Sequence, residues 1–193
     1  MTNCNYYISL LFLSLTINLK NFFISLLLPT NISEELETKR LLIRSITLED
    51  VNVLADDLNG DMGNSSFHLF RIFKKSYTHL FALLLKESNQ ILGFVALQIL
   101  EKRELIECYY ELLPQYTGNG YAIEAMKKIF GYIFRNLQFE KIVAHVDQGN
   151  SRGWKVAERA GMKYMGDIIG KDATTKSMCF SLNKSDYFNQ LQY

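Results

Sequence analysis

The segment Leu112–Ala125, which reads LLPQYTGNGYAIEA, decides the fold. It joins the end of an apolar run, a Gly-x-Gly turn at Gly118 and Gly120, and the start of an amphipathic stretch. When a strand is followed directly by a tight turn and the first turn of a helix, the unpaired N–H groups and the positive end of the helix dipole point toward one place. Glycine also lets the backbone adopt positive φ and approach an anion closely. The segment therefore predicts a phosphate-binding corner.

Two familiar phosphate motifs are excluded. The segment is not a P-loop, because no Gly-Lys-Ser/Thr follows the turn, and it is not a dinucleotide fingerprint, because Ile123 stands where the third glycine belongs. A glycine turn between a strand and a helix is also common as a plain connection. The segment alone leaves both interpretations open.

Hydrophobic periodicity predicts the elements around this segment. Thr47 and Asp50 match a capping box at a helix start. The predicted strands lie near 39–44, 79–86, 91–100, 105–113, 141–146, 163–169 and 174–182, and the predicted helices near 47–58, 67–75, 119–136 and 151–159. The order β, α, α, β-β-β, α, β, α, β-β predicts an α/β chain with a mixed sheet and helices on its faces.

Composition narrows the range of functions. The 193 residues are enough for one domain, and 21 Lys and Arg against 20 Asp and Glu leave no basic excess for binding nucleic acid. The cysteines, Cys4, Cys108 and Cys179, are odd in number, widely spaced and not at ligand spacing from any histidine. We expect reduced thiols in a cytosolic setting, with Cys108 and Cys179 inside strands, and no metal site.

An apolar stretch at residues 6–28 precedes the predicted domain. It has the length of a bilayer-spanning helix, but Lys20 interrupts it near the middle. It fits a secretory signal poorly, because no basic residue precedes it and no small-residue cleavage site precedes Pro29. A membrane anchor, a helix packed on the domain or on a partner, and a leader without defined structure remain as alternatives. If the stretch spans a membrane, the basic residues of 39–44 place the domain on the cytoplasmic side.

The run Gln115–Ala125 resembles the acetyl-CoA pyrophosphate loop of GNAT acetyltransferases, in particular the RimJ/RimL-like branch, which reads G-x-G-Y-A-x-E-A. The resemblance extends over about 150 residues. Further matching stretches are Thr38–Arg44 with the opening strand of the branch, Thr47–Asp50 with its first helix cap, Ile91–Phe94 with its third strand, and Asn150 with Val156–Met162 as its second motif.

This resemblance implies the architecture and the activity. The fold would be GNAT-like, a central, mostly antiparallel sheet of six to seven strands flanked by about four helices. The domain would span residues 36–186, between the extension at 1–35 and a C-terminal tail at 187–193. The activity would be cytoplasmic, acetyl-CoA-dependent acetylation of a primary amine on a protein N-terminus or small molecule, by direct attack in a ternary complex. The acceptor and the oligomeric state are not predicted.

The resemblance also assigns cofactor-binding residues. In this family the strand before the loop splays from its neighbour, and the pantetheine arm inserts between them. Leu112 and Leu113 would pair with the pantetheine amides, and Asn150 would contact the arm from the other side. The loop amides would hold the pyrophosphate, and they belong to Thr117, Gly118, Asn119, Gly120, Tyr121 and Ala122.

For catalysis, the strand before the loop offers a general base. The reaction requires a group that accepts a proton from the amine, and Glu107 is the first candidate, with Glu111 and Tyr110 as alternatives. Strand alternation places Glu107, Tyr109 and Glu111 on one face and Tyr110 on the other, unless a bulge shifts the parity. His145 is expected to be a structural histidine in the sheet interior.

Three positions depart from the family pattern. Thr117 replaces the usual basic residue before the first loop glycine, Gly153 replaces a serine, and Ala157 replaces the tyrosine that many members use as a general acid. These losses keep two alternatives open. One is an acyl-CoA-binding domain with little catalysis, and the other is an interaction module that uses the fold alone.

Overall fold

One eight-stranded sheet and four α-helices form the described part of the chain, residues 35–58, 79–100, 104–169 and 176–192 of a computed structural model. The predicted helix at 67–75 and the apolar stretch at 6–28 lie outside these residues. Within them, no helix is both long enough and apolar enough to cross a membrane.

The elements follow the predicted order. The strands are β1 (Leu36–Glu37), β2 (Leu41–Ser45), β3 (His79–Leu85), β4 (Ile91–Ile99), β5 (Leu105–Leu112), β6 (Lys141–Asp147), β7 (Lys163–Ile169) and β8 (Lys176–Asn183). The α-helices are α1 (Leu48–Leu58), α2 (Tyr121–Tyr132), α3 (Ser151–Arg159) and α4 (Lys184–Gln190). A 3₁₀ turn at Pro114–Tyr116 precedes α2, and a π-helical turn at Ile133–Leu137 extends it.

The sheet is mixed, as predicted, and has one strand more than expected. Its order is β1-β2-β3-β4-β5-β6-β8-β7, and every neighbouring pair is antiparallel except β5 and β6. The additional strand is β1, which has two residues and pairs with β2 at the edge. Two residues are too few to show the alternation of apolar and polar residues by which a strand is predicted from sequence.

The start of α1 confirms the predicted capping box. The Thr47 N–H donates to Asp50 Oδ2 at 2.7 Å, and the Asp50 N–H donates back to the Thr47 hydroxyl at 3.2 Å. Arg44 then forms two hydrogen bonds to the Asp50 carboxylate, at 2.6 and 3.0 Å. The buried Asp50 side chain is therefore fully paired, and α1 begins at a fixed point on β2.

The centre of the sheet is buried on both faces. On one face, Leu54 of α1 packs against a cluster that contains Phe94 and Ala96 of β4. On the other face, Val95 and Leu97 are completely buried, and this is the side of α2 and α3. The buried stripe of α2 includes Ala125, Met126, Ile129 and Phe130, which the sequence predicts from their helical spacing.

The predicted C-terminal tail at 187–193 is wrong in part, because helix α4 occupies residues 184–190. The Tyr187 ring packs against Phe134, with 5.3 Å between the ring centroids, and the Gln190 amide donates to the Gly161 carbonyl at 3.2 Å. Tyr187 and Phe188 carry this packing although most of the segment is polar, which is why periodicity missed it. The domain therefore continues beyond residue 186.

Strand β4 touches β5 unusually closely at Gly93. A Cβ atom at Gly93 would lie 2.1 Å from the Glu111 carbonyl oxygen and 2.8 Å from the Leu112 Cα atom. Both neighbours are backbone, so neither can move aside without displacing β5. Gly93 thus fixes the end of β5, where the chain enters the glycine turn.

We predict that Gly93→Ala lowers the free energy of unfolding, toward the upper end of the roughly 1–3 kcal/mol that overpacking costs. Urea denaturation measures the change. The matched control is Gly166→Ala, where φ is also positive but an added Cβ meets nothing within 4 Å. Equal losses in the two variants would show that the close contact with β5 is not the cause.

Candidate active site

Strands β5 and β6 form a fork. Their parallel pairing runs only from Leu105–Glu107 to Lys141–Val143, although β5 continues to Leu112 and β6 to Asp147. Beyond the last pair, β5 stays hydrogen-bonded to β4 and β6 to β8. The two strands therefore separate toward their C-terminal ends, which is the splay that the resemblance implies.

The end of β5 turns one of its two predicted amides toward the fork. The Leu113 N–H donates to the Leu92 carbonyl at 2.8 Å, and the Leu113 carbonyl accepts from the Tyr116 N–H at 3.0 Å. Leu113 is therefore already paired on the β4 side. Because successive N–H groups of a strand point to opposite edges, the Leu112 N–H faces the fork. Of the two residues, Leu112 alone has an amide placed for a ligand there.

The glycine turn is shaped by the residues before it. The Thr117 N–H donates to the Pro114 carbonyl at 3.2 Å, and the Thr117 hydroxyl donates to the same oxygen at 2.8 Å. Gly118 and Gly120 then adopt φ of 83° and 78°, a region that glycine enters without steric cost. Gly120 is the N-terminal cap of α2. The structure thus places both glycines as the sequence predicts.

The amides of the turn form an open cradle. The first helical hydrogen bond runs from the Glu124 N–H to the Gly120 carbonyl at 3.1 Å. The preceding amides, from Gly118 to Ile123, donate to no other group in the part of the chain that the structure describes. There is also room, since an added Cβ would meet nothing within 4 Å at Gly118 and only the Arg40 guanidinium, at 3.7 Å, at Gly120. Free amides, space and the α2 dipole fit a diphosphate.

Arg40 attaches the turn to the edge of the sheet. Its Nε donates to Glu124 Oε2 at 2.7 Å, its Nη1 donates to the Asn119 carbonyl at 3.0 Å, and its guanidinium lies 4.4 Å from the centre of the Tyr121 ring. The Thr38 hydroxyl donates to Glu124 Oε1 at 2.6 Å. The sequence motifs assign no role at the turn to Arg40, because its partners lie about eighty positions away in the chain.

The electrostatics of Glu124 agree with this geometry. Burial alone would raise the pKa of Glu124, but the hydrogen bonds from Thr38 and then from Arg40 outweigh it and hold the pKa below its usual value. Glu124 is therefore an anion that compensates the Arg40 charge. The turn is held by an ion pair without net charge, and the described groups that it offers to an anion are backbone amides.

The face predicted for Glu107 is confirmed. Glu107 lies opposite Gln98 in the sheet, and Tyr109 packs against the cluster that covers the α1 side. The Tyr109 hydroxyl donates to Glu111 Oε2 at 2.7 Å, so these two alternate residues share that face. Glu107 stands at the last β5–β6 pair, at the base of the fork.

Tyr110 lies on the opposite face from Glu107. Its hydroxyl donates to the Gly153 carbonyl of α3 at 2.8 Å. Burial, and after it the neighbouring Cys108, raises the pKa of Tyr110 far above its usual value. The Tyr110 hydroxyl is therefore a proton donor at neutral pH and cannot serve there as a base.

The expectation that His145 lies in the sheet interior is wrong. Along β6 the buried residues are 142–144 and 146, whereas His145 is exposed. Its Nδ1 lies 2.6 Å from Glu107 Oε1, across the base of the fork. The hydrogen bond with Glu107 raises the pKa of His145, and burial opposes this only in part. The apolar neighbours of His145 suggested burial, but strand alternation turns it to the other face.

The comparisons with known proteins agree with this geometry. The family model described as an acetyltransferase (GNAT) domain matches residues 40–163. The chain belongs to the GNAT acetyltransferase family. Its match to the uncharacterized protein YkkB of Bacillus subtilis is 36% identical over 81 residues, 41% of this chain and 47% of that protein, so it spans about half of that relative. The uncharacterized N-acetyltransferase p20 of Bacillus licheniformis is 24% identical over 80% of this chain and 98% of its own length.

Solved structures show the same GNAT fold. A GCN5-related N-acetyltransferase from Brucella melitensis has a TM-score of 0.69 at 17% identity, covering 86% of this chain and 85% of that one. A GNAT-family acetyltransferase from Bacillus anthracis has a TM-score of 0.64 at 20% identity, covering 79% and 99%. A chimera of the Vibrio cholerae spermidine N-acetyltransferase SpeG with hSSAT has a TM-score of 0.64 at 17% identity, covering 78% and 99%.

The second GNAT motif takes a structural role at the far side of the fork. Asn150 is the N-terminal cap of α3, and its Oδ1 accepts from the Gly153 N–H at 2.8 Å. A Cβ at Gly153 would lie 2.8 Å from Asn150 Nδ2 and 2.9 Å from Val146, so the serine usual in GNAT proteins would crowd this cap. Ala157 is buried.

We predict that Arg40→Met weakens CoA binding about tenfold, which corresponds to about 1.4 kcal/mol. The variant keeps an apolar stem but releases the turn from Glu124 and from the Asn119 carbonyl. Isothermal titration with CoA measures the dissociation constant. The matched control is Lys86→Met, which breaks a different ion pair at the same end of the sheet, the 2.6 Å contact with Glu37. An equal loss of affinity in both variants would contradict a specific role for Arg40.

Proposed function

We propose that this GNAT protein is an acetyl-CoA-dependent N-acetyltransferase of the RimJ/RimL-like branch, acting on a primary amine of a protein N-terminus or small molecule. The observation that carries the proposal is the set of amides at 118–123, which have no partner among the described residues and follow the end of β5 at the β5–β6 fork. The diphosphate of acetyl-CoA would fit the turn with these amides, and its extended pantetheine arm would fit the fork. The motif Gly118–Ala125 supports the branch.

The residues divide into those that hold the head of the cofactor and those that hold its arm. The amides of Gly118, Asn119, Gly120, Tyr121 and Ala122 bind the diphosphate with the help of the α2 dipole. Thr117 shapes the turn instead of binding, because its N–H is already paired with Pro114. The Leu112 amide pairs with the pantetheine arm, and the Asn150 side chain contacts the arm from the β6 side. Acetyl-CoA, when bound, supplies the acyl group as an activated thioester.

The reaction is direct attack of a neutral amine on the acyl group, in a ternary complex. The protein positions the amine, accepts one of its protons and shields the site. Glu107, at the base of the fork, belongs to the proton-accepting group. Tyr110, a buried donor beside α3, is placed to give a proton to the departing sulfur in the absence of a tyrosine at position 157.

The domain limits and the location are part of the same proposal. The catalytic domain begins near residue 36 and includes α4. A cytoplasmic location would give access to acetyl-CoA. The acceptor remains one of several amine classes, because the spermidine N-acetyltransferase among the structural neighbours shares the fold at only 17% identity.

We predict that Gly120→Glu abolishes CoA binding, because it places a carboxylate against the diphosphate. Isothermal titration with CoA gives the affinity. Gly120→Gln has the same size and backbone strain without the charge, and it should bind more tightly than Gly120→Glu. Gly166→Glu introduces the same side chain at another positive φ, 121°, and should bind like the wild type. Unchanged affinity in Gly120→Glu would remove the turn as the diphosphate site.

We predict that the wild-type protein releases free CoA thiol from acetyl-CoA in the presence of one amine of a panel: spermidine, kanamycin and a peptide with an N-terminal serine. A thiol-reactive dye follows the release. Glu107→Gln should lower the rate on the order of 10²-fold, the lower end of what a general base contributes. CoA binding without release would favour the acyl-CoA-binding alternative, and absence of CoA binding would favour the interaction module.

A further inference from the structure

The contact between Glu107 and His145 lies at the base of the fork. Glu107 belongs to the last pair of β5 with β6, and His145 stands two residues beyond its partner Val143. The 2.6 Å hydrogen bond therefore bridges the strands where they begin to part. Both side chains are partly exposed, at 27% for Glu107 and 34% for His145, so a small molecule in the fork can reach them.

The hydrogen bond fixes which nitrogen of His145 holds the proton. A carboxylate only accepts hydrogen bonds, so the His145 Nδ1 must donate. In the neutral ring Nε2 then has a free lone pair. Within the described residues no group bonds to Nε2. The His145 ring is thus arranged as a base: the Glu107 carboxylate sets its orientation, and Nε2 is available to accept a proton.

We propose that His145 is the group that takes the proton from the incoming amine, and that Glu107 is a positioning residue that orients the ring and stabilises its protonated form. This inference rests on the proposed function and refines its proton-accepting step. Imidazole suits that step better than a carboxylate does, because its pKa lies nearer to neutral pH.

The proton transfers balance. The ammonium form of the acceptor gives one proton to His145 Nε2, and the nitrogen lone pair then forms the N–C bond as the C–S bond breaks. The second proton of that nitrogen goes to the departing sulfur, with the Tyr110 hydroxyl as the adjacent donor that can relay it. His145 finally releases its proton to water through the open side of the fork. The products are an amide, a thiol and one proton.

The charged groups around His145 come from three strands. Glu107 approaches from β5, Lys141 and Asp147 lie on the same face of β6, and Cys179 lies directly opposite on β8. Burial raises the pKa of the Cys179 thiol, so this neighbour stays neutral. The Glu107 hydrogen bond remains the first cause of the raised pKa of His145. Neutral imidazole is therefore available only above that raised pKa, and the rate should rise with pH through it.

The test compares His145→Gln and Glu107→Gln with the wild type, and uses Cys179→Ser as the matched control beside the pair. Three measurements are needed: CoA affinity by isothermal titration, the pH profile of kcat/KM with the best acceptor of the panel, and an NMR titration of imidazole C–H signals in the cofactor-free protein. The chain has three histidines, and the signal missing from His145→Gln identifies His145.

We expect His145→Gln to lower kcat/KM by about 10²-fold or more and to remove the acidic limb of the profile. Glu107→Gln should move that limb to lower pH and lower the NMR pKa of His145, and its rate deficit should be larger at pH 8 than at pH 6. Cys179→Ser should change neither. CoA affinity should stay unchanged in all three variants, because none of these side chains belongs to the cradle.

Several results would overturn the proposal. An acidic limb that persists in His145→Gln but disappears in Glu107→Gln would make Glu107 the base. An NMR pKa of His145 that does not respond to Glu107→Gln would show that the two side chains do not pair. A wild type that binds no CoA would refute the proposed function itself, and the NMR titration would still report on the pair separately.

Discussion

The separation of β5 from β6 is the constraint on which the rest of the domain depends. Each of these two strands has a long antiparallel partner, β4 for β5 and β8 for β6, and the two meet in a parallel seam of only three residue pairs. The sheet is thus two antiparallel halves joined at one end. Gly93 holds the end of β5 against β4, and the full-length pairing with β8 holds β6 on the other side. Neither strand can close the fork without losing its own partner.

Helix α2 follows from that separation. A parallel pair requires a crossover connection, and α2 provides it by leaving the end of β5 and returning to the start of β6. Its first turn therefore stands at the open end of the fork, and the amides at 118–123, unpaired among the described residues, follow shortly after Leu112 in the chain. Arg40 and Glu124 hold this turn against β2 with a charge-compensated pair. The turn with its open amides and the β5–β6 fork thus follow from a single feature of the topology.

The sequence predicted most of this because the deciding signals are local. The capping box at Thr47 and Asp50, the stripe of α2 and the Gly118–Gly120 turn each depend on residues within about one or two helical turns. The failures depend on partners far away in the chain. The engagement of Leu113 with Leu92 and the contact of Arg40 with Asn119 arise only once the sheet has assembled. No periodicity contains such information.

His145 shows the same limit at the level of one side chain. Its apolar neighbours Ala144 and Val146 are buried under the helices, and alternation turns the histidine away from them, toward β5. Whether a side chain on that outward face meets bulk solvent or lines the fork depends on where the neighbouring strand lies. The sequence pattern does not predict that position. Because the seam ends at Val143, the histidine meets a carboxylate at an open gap instead of a closed ladder. The constraint that opens the fork therefore also leaves an imidazole at its base, hydrogen-bonded to Glu107 through Nδ1 and without a partner at Nε2 among the described residues.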